Sequence, residues 1–190
     1  MSKTIYNLAA AFIGESQARN RYTFYTKTAK KEGFEKVSAL FALTAEQENE
    51  HAKWLMRLIN ELRQKENFTD DIKVEEAEVP TTLGTTVENL KAAIAGENYE
   101  QTSMYPEFAD TAQEEGYPEI AVRLRAIARS EQNHEARYQQ ALDEIEQNKM
   151  FEKGEEVTWV CRKCGYAHTG IRAVAECPSC GHPQAYFETK

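Results

Sequence analysis

No cysteine occurs in the first 160 residues of this 190-residue chain; all four lie between Cys161 and Cys180. A disulfide framework for the body of the protein is thereby excluded, and in a reducing compartment such a cluster favours metal binding. Any grouping of Lys or Arg is also missing, and the formal net charge is -8. The chain therefore lacks the basic footprint of a nucleic-acid or anionic-membrane binder. No apolar run approaches the roughly 20 residues of a membrane helix. Met1 to Ala10 has no charged segment followed by an unbroken apolar stretch, as a signal peptide would. The expectation is a cytoplasmic protein with neither membrane nor nucleic acid as partner.

What is present is ordinary globular material, 41% hydrophobic and 28% charged, with length for one domain and a small appendage. Apolar residues recur at steps of three and four along four segments, the seam of a helix packed in a bundle. The first runs Leu8, Ala11, Glu15, Ala18, Tyr22, Tyr25, Ala29, and the second Val37, Phe41, Thr44, Glu48, His51, Leu55, Leu58, Leu62. The third runs Leu90, Ala93, Glu97, Glu100, Met104, Phe108, Thr111, and the fourth Ile120, Leu124, Ile127, Glu131, His134, Tyr138, Ala141, Ile145. Gly33 separates the first pair, and Gly116 with Pro118 the second. Short loops make antiparallel neighbours, whereas the polar stretch from about Gln64 to Thr86 can travel the length of a bundle. Thr85 with Glu88 forms a capping-box pattern that starts the third helix. The predicted fold is an all-α four-helix bundle with one long crossover, the ferritin-like arrangement, over residues 1–149. Residues 150–156 read as a polar connector. Residues 157–190, rich in Cys, Gly and Pro, read as a second module of β and loop character, and modules below ~40 residues usually need a metal or disulfides to fold.

Five glutamates and two histidines interrupt the apolar seams at mid-helix. Glu48 with His51 and Glu131 with His134 are Glu-x-x-His pairs, and residues three apart share a helix face. Helix two also offers Glu46 and Glu50, so the register is a choice, but the other helices supply the matching Glu15 and Glu97. One Glu from each of two helices plus Glu-x-x-His from each of the other two is the ligand recipe of a di-iron or di-manganese bundle. Zinc is the alternative that spacing leaves open. Burying one unpaired carboxylate costs several kcal/mol, so five would exceed the ~5–15 kcal/mol stability of a domain unless cations offset them. The chain also repeats itself: Ile13-Gly14-Glu15 is echoed by Ala95-Gly96-Glu97, and the steps Glu15 to Glu48 and Glu97 to Glu131 differ by a single residue. A pseudo-twofold axis through a metal pair is expected, with Gly14 and Gly96 admitting close helix approach.

Cys161-Arg-Lys-Cys164-Gly and Cys177-Pro-Ser-Cys180-Gly are matched knuckles that would form a tetrahedral four-sulfur site for zinc or a single iron. His168 and His182 are bystanders, since four sulfurs complete the site. These knuckles resemble a rubredoxin-type domain, and a carboxylate bundle followed by one resembles the rubrerythrin family over essentially the whole chain.

That resemblance implies that Glu48 and Glu131 bridge two irons, that Glu15 and Glu97 bind at the ends, and that His134 completes one iron. Glu100, which has no counterpart at Ala18, would share the other iron with His51 and exchange with it as the oxidation state changes. Pro106 would loosen the helix just beyond. Tyr22 and Tyr105 would hydrogen-bond ligand carboxylates. A third iron, with zinc as the alternative, would sit on Cys161, Cys164, Cys177 and Cys180. The implied activity is a non-haem peroxidase that reduces hydrogen peroxide to water for oxidative-stress defence, with electrons relayed through the cysteine-bound iron. The donor would be an external reductase drawing on reduced nicotinamide, or a rubredoxin. A head-to-tail homodimer is expected, with domain swapping as a further option. The rivals are an iron-handling ferroxidase and a binding module held together by a zinc ribbon.

Overall fold

The computed structural model describes residues 1–75 and 77–190. Long helices α1 (Lys3–Lys31) and α2 (Glu35–Lys65) form one hairpin. The second comprises α3 (Thr86–Tyr99), a π turn (Glu100–Met104) and α4 (Tyr105–Glu114), which run on without a break, and then α5 (Pro118–Glu146). Both hairpins turn by the same device. Gly33 and Gly116 adopt φ of 84° and 83°, a left-handed conformation open to glycine without steric penalty. The next residue then reaches back, Phe34 N–H to Ala29 O and Tyr117 N–H to Ala112 O, each at 2.8 Å.

The helix starts are held from elsewhere in the chain. Glu115 accepts the backbone N–H groups of Lys3 and Thr4 at 2.8 Å, capping α1 from the opposite hairpin. The expected capping box is present at α3, with the Thr85 hydroxyl accepting from Glu88 N–H and the Glu88 carboxylate accepting from Thr85 N–H. The crossover is irregular but tied down, for Tyr25 donates to the Thr82 carbonyl at 2.8 Å and Asn89 exchanges two hydrogen bonds with Gly84.

Apolar residues pack above and below the carboxylate belt. One cluster includes Leu8, Leu55, Leu62, Tyr105 and Leu124, and the other Tyr22, Tyr25, Phe41, Leu90 and Tyr138. Each buried side chain of this size contributes about 1.5–3 kcal/mol, so the two layers can hold the helices around an unfavourable polar middle. Glu46 and Glu50 are exposed whereas Glu48 is buried, which settles the register of α2.

The expected seam fails in one place. Beyond Glu100 the buried positions are Met104, Tyr105, Ala109 and Ala112, not Phe108 and Thr111, which are only half-buried. The π turn inserts one residue, with Tyr105 N–H bonded to Glu100 O, and so advances every later position on the buried face by one. Pro106 has no N–H to give the carbonyls of the preceding turn, which disfavours a regular α-helix there. The irregularity therefore begins at Glu100 itself.

The small module is a three-stranded antiparallel sheet in the order β2-β1-β3, from β1 (Glu152–Cys161), β2 (Ala167–Arg172) and β3 (Phe187–Thr189). Residues 152–156, read from sequence as connector, belong to β1, and Glu152 lies opposite Arg172. The module's core is Trp159, Cys161, Ala173, Cys177 and Phe187. It seats on the bundle end where α1 turns into α2: Phe151 packs against both cores, and Glu144 pairs with Lys36 at 2.7 Å and Lys153 at 3.2 Å. Among the described residues, no helix is long and apolar enough to cross a membrane.

Candidate metal centres

The helical period carries Glu15 on α1, Glu48 and His51 on α2, Glu97 on α3, and Glu131 and His134 on α5 to one level of the bundle. The four glutamates are at most 1% exposed, beyond any claim to be solvated surface charges. His51 Nδ1 lies 2.9 Å from Glu131 Oε1, 3.0 Å from Glu48 Oε2 and 3.6 Å from Glu15 Oε2. His134 Nδ1 lies 2.7 Å from Glu131 Oε2, 3.0 Å from Glu48 Oε1 and 3.3 Å from Glu97 Oε2. Glu48 and Glu131 thus give one oxygen to each side, while Glu15 and Glu97 each serve one. The ligand atoms of each four-residue set fall within 4.8 Å of one another.

This donor set fits a pair of cations. Glu15 Oε2, Glu48 Oε1 and both oxygens of Glu131 are buried, and the imidazole nitrogens that approach them are not aligned to donate a hydrogen bond, so none has a hydrogen-bond partner among the described residues. Each such orphan costs free energy if left alone, yet their lone pairs and those of the imidazoles converge on two points. Two divalent ions there balance the four carboxylates. Without them, burial pushes Glu97 up to about 8 against the hydrogen bond from His134, and burial together with the charge of Glu48 holds Glu15 well above the usual carboxylate range.

Tyrosines support the end carboxylates across the hairpins. Tyr22 donates to Glu97 Oε1 at 2.5 Å, and Tyr105 donates to Glu15 Oε1. Burial, then the charge of Glu97 on Tyr22 and of Glu15 on Tyr105, raises both hydroxyls well above their ordinary values, so they remain donors. The π turn explains why this pair is symmetric. Tyr22 follows Glu15 by seven residues and Tyr105 follows Glu97 by eight; the inserted residue makes the two positions equivalent. The same insertion accounts for the one-residue mismatch between the halves of the repeat, because Gly33 to Glu48 and Gly116 to Glu131 span fifteen residues each.

Glu100 is buried in the π turn but belongs to neither set, and the first is completed by His51. Its carboxyl is held well above the usual range by burial and then by the charge of Glu15. Close helix approach at the repeat glycines is not found. Among the described residues outside its own helix, a Cβ on Gly14 would meet only Glu100 Oε1 at 3.8 Å, and one on Gly96 only Arg21 Nη2 at 3.9 Å. Arg21 was missed by sequence reading, since a cation beside the seam carries no periodic signal.

The sulfurs of Cys161, Cys164, Cys177 and Cys180 also lie within 4.8 Å of one another. Cys161 and Cys180 are 3.8 Å apart, and Cys164 and Cys177 are 3.7 Å apart. Those separations are far beyond a disulfide bond and match the edge of a tetrahedron with metal–sulfur bonds of about 2.3 Å, which is about 3.8 Å. Gly165 and Gly181, at φ of 77° and 68°, close the two knuckles by donating to Cys161 O and Cys177 O at 2.8 Å. Neither His168 nor His182 joins this set.

The family model described as "Rubrerythrin" matches residues 6–142, and that of "Rubrerythrin, rubredoxin-like domain" matches residues 159–188. The chain belongs to the rubrerythrin family. Putative rubrerythrin of Methanocaldococcus jannaschii is 56% identical over 191 residues, covering 100% of this chain and 94% of the relative. Rubrerythrin-1 of Clostridium acetobutylicum is 51% identical over 188 residues, covering 98% and 94%. Among solved structures, nigerythrin in its fully reduced, all-ferrous state superposes with a TM-score of 0.65 at 29% identity, covering 100% of this chain and 88% of that one. The rubrerythrin-family chain thus combines a ferritin-like bundle bearing Glu/His sets suited to a di-iron site with a rubredoxin-like four-cysteine site.

Proposed function

We propose that the protein is a peroxidase that reduces hydrogen peroxide to water, with electrons passing through the cysteine site to the bundle. The observation that carries this reading is the pair of ligand sets sharing Glu48 and Glu131, in one chain with a tetrathiolate site. Iron at these positions would supply Lewis acidity and two electrons in the bundle, and a one-electron carrier at the cysteines, for the reaction of peroxide with two electrons and two protons to give two waters.

The chain's own contribution is to fix the ligands before any reaction. Glu48 and Glu131 each span both sides of the site. Tyr22 and Tyr105 hold the end carboxylates Glu97 and Glu15 in place. His51 and Glu100 compete for the same side, and the π turn gives Glu100 freedom to approach it; π turns recur at functional sites because they loosen an otherwise regular helix. Four reduced cysteines suit a reducing, cytoplasmic setting.

From His134 to Lys149, α5 and its end carry the chain roughly 22 Å at 1.5 Å per residue, which takes the cysteine module away from its own bundle site. A head-to-tail homodimer would bring a partner's module closer. An external reductase or rubredoxin is the donor. The test is turnover of peroxide by the iron-loaded protein with a reductase supplying electrons. Replacing Cys164→Ser should abolish donor-driven turnover while a chemically reduced bundle still consumes one round of peroxide. Donor-driven turnover that survives this substitution refutes the relay.

A further inference from the structure

A cleft of about 410 Å³ opens between α1 and α3 on the face where the crossover lies. Its inner part is lined by Gly14, Gln17, Arg21, Gly96 and Glu100, and its outer part by crossover residues including Ala77. We propose that this cleft is the route by which small molecules reach the metal centre, with Glu100 as its inner door; the proposal rests on the peroxidase reading and deepens it.

Three independent features point the same way. The two glycines of the repeat are not pressed against a neighbouring helix: among the described residues, a Cβ at either would touch one polar side chain of another segment and none of its backbone. Glycine in a helix interior costs about 1 kcal/mol relative to alanine, and at both positions the space gained is the cleft itself. Secondly, the glycines immediately precede Glu15 and Glu97, the end carboxylates of the two sets, so the inner end of the cleft abuts the site. Thirdly, the groups at that end are polar and incompletely bonded. Glu100 is 8% exposed, its Oε1 turns toward Gly14, and the Nε of Arg21 is buried with no hydrogen-bond partner among the described residues. Ile13, Val74, Met104 and Phe108 make much of the remaining lining apolar, so the polar groups are gathered at the inner end, where they suit small polar molecules such as water and peroxide. Because Glu100 sits in the π turn, its side chain can shift without breaking a regular helix on both sides.

The route is tested by azide binding to the iron-loaded protein, followed by rapid-mixing absorbance. Ala77→Trp fills the mouth without touching the bundle core, and Gly14→Leu fills the inner end. Val122→Trp, at an exposed site on α5, is the control. An access route predicts that both cleft variants keep their iron and melting temperature. Azide association should fall about tenfold and dissociation should fall with it, so that the equilibrium affinity is unchanged, while the control does nothing. Should Gly14→Leu lose iron, Ala77→Trp alone decides. An association rate within about twofold of the parent in Ala77→Trp, with metal content intact, overturns the proposal. Azide binding does not require peroxide turnover, so slowed azide entry in a protein that fails to reduce peroxide would sink the peroxidase reading and leave the route standing.

Discussion

The two metal-binding regions are built on opposite principles. In the bundle, the ligands are an intrusion: Glu15, Glu48, Glu97, Glu131 and the two histidines occupy a polar belt between two apolar layers that hold the helices together. In the small module the ligands are part of the core itself, since Cys161 and Cys177 are packed with Trp159, Ala173 and Phe187. Without metal the bundle can relieve its buried carboxylates by protonation, since burial already raises Glu15, Glu97 and Glu100, whereas the small sheet has few apolar contacts to hold it once its sulfurs lose their partner. The difference teaches that one chain can place one ligand set against the grain of an apolar scaffold and build a second into the core of its fold.

The sharpest way to break this comparison is to remove one cysteine. Cys177→Ser should unfold the module, because structural tetrathiolate sites contribute on the order of 10 kcal/mol to folding. Hydrogen exchange should show loss of amide protection over residues 157–190 with the helices still protected. Unchanged protection in the module would mean that its sheet stands without metal.

Stripping metal from the bundle should have a smaller and pH-dependent effect. In the metal-free protein Glu97 titrates near 8 rather than 4.5, so the folded state binds more protons than the unfolded one between those values. Stability is then greatest at the acidic end and falls as pH rises toward about 8. Glu15 adds to the same trend because its carboxyl is also raised. Metal-loaded protein should show no such slope, since the cations keep the carboxylates ionised. Equal slopes in thermal melts from pH 5 to 8 would contradict the assignment of a buried metal pair.

Tyr105→Phe and Tyr22→Phe sharpen the pseudo-symmetry of the belt. Each removes a donor to one end carboxylate and should weaken metal binding about 10- to 100-fold. The two losses should be comparable and should fall on opposite sides of the pair, measured by metal competition. A large effect from one and none from the other would show that the halves are not equivalent. The smallest effect belongs to Glu115, which caps α1 from outside both cores. Glu115→Gln should cost about 1 kcal/mol in a denaturant melt at neutral pH. Its carboxyl is held low, against burial, by hydrogen bonds from Thr4 and Lys3, so the difference from the parent should shrink as acid protonates it.

Much of the bundle was legible because carboxylates on an otherwise apolar helical seam are costly to bury unless cations sit among them. The pairs Glu48–His51 and Glu131–His134 and the single Glu15 and Glu97 sit together as their spacing implies. The π turn was not legible as such, for a constant helical period cannot register one inserted residue; it assigned Phe108 and Thr111 to the seam where Ala109 and Ala112 are buried. The one-residue mismatch in the repeat was the visible trace of that insertion. Gly14 and Gly96 looked like points of close helix contact, yet they border a cleft, because glycine alone does not say whether the space it leaves is filled. The polar run at 152–156 read as a connector although it extends the first strand, because its charges are used in pairing: Glu152 lies opposite Arg172 and Lys153 reaches Glu144 of the bundle.

The most direct test of the two-site account is iron and zinc content with a visible spectrum of anaerobically purified, full-length protein before and after one equivalent of peroxide. Two glutamate–histidine sets sharing bridges and one cysteine set predict three irons per chain. The ferric tetrathiolate colour should bleach on reduction and return when peroxide is added. A colourless protein holding only zinc, with a spectrum indifferent to peroxide, would contradict it.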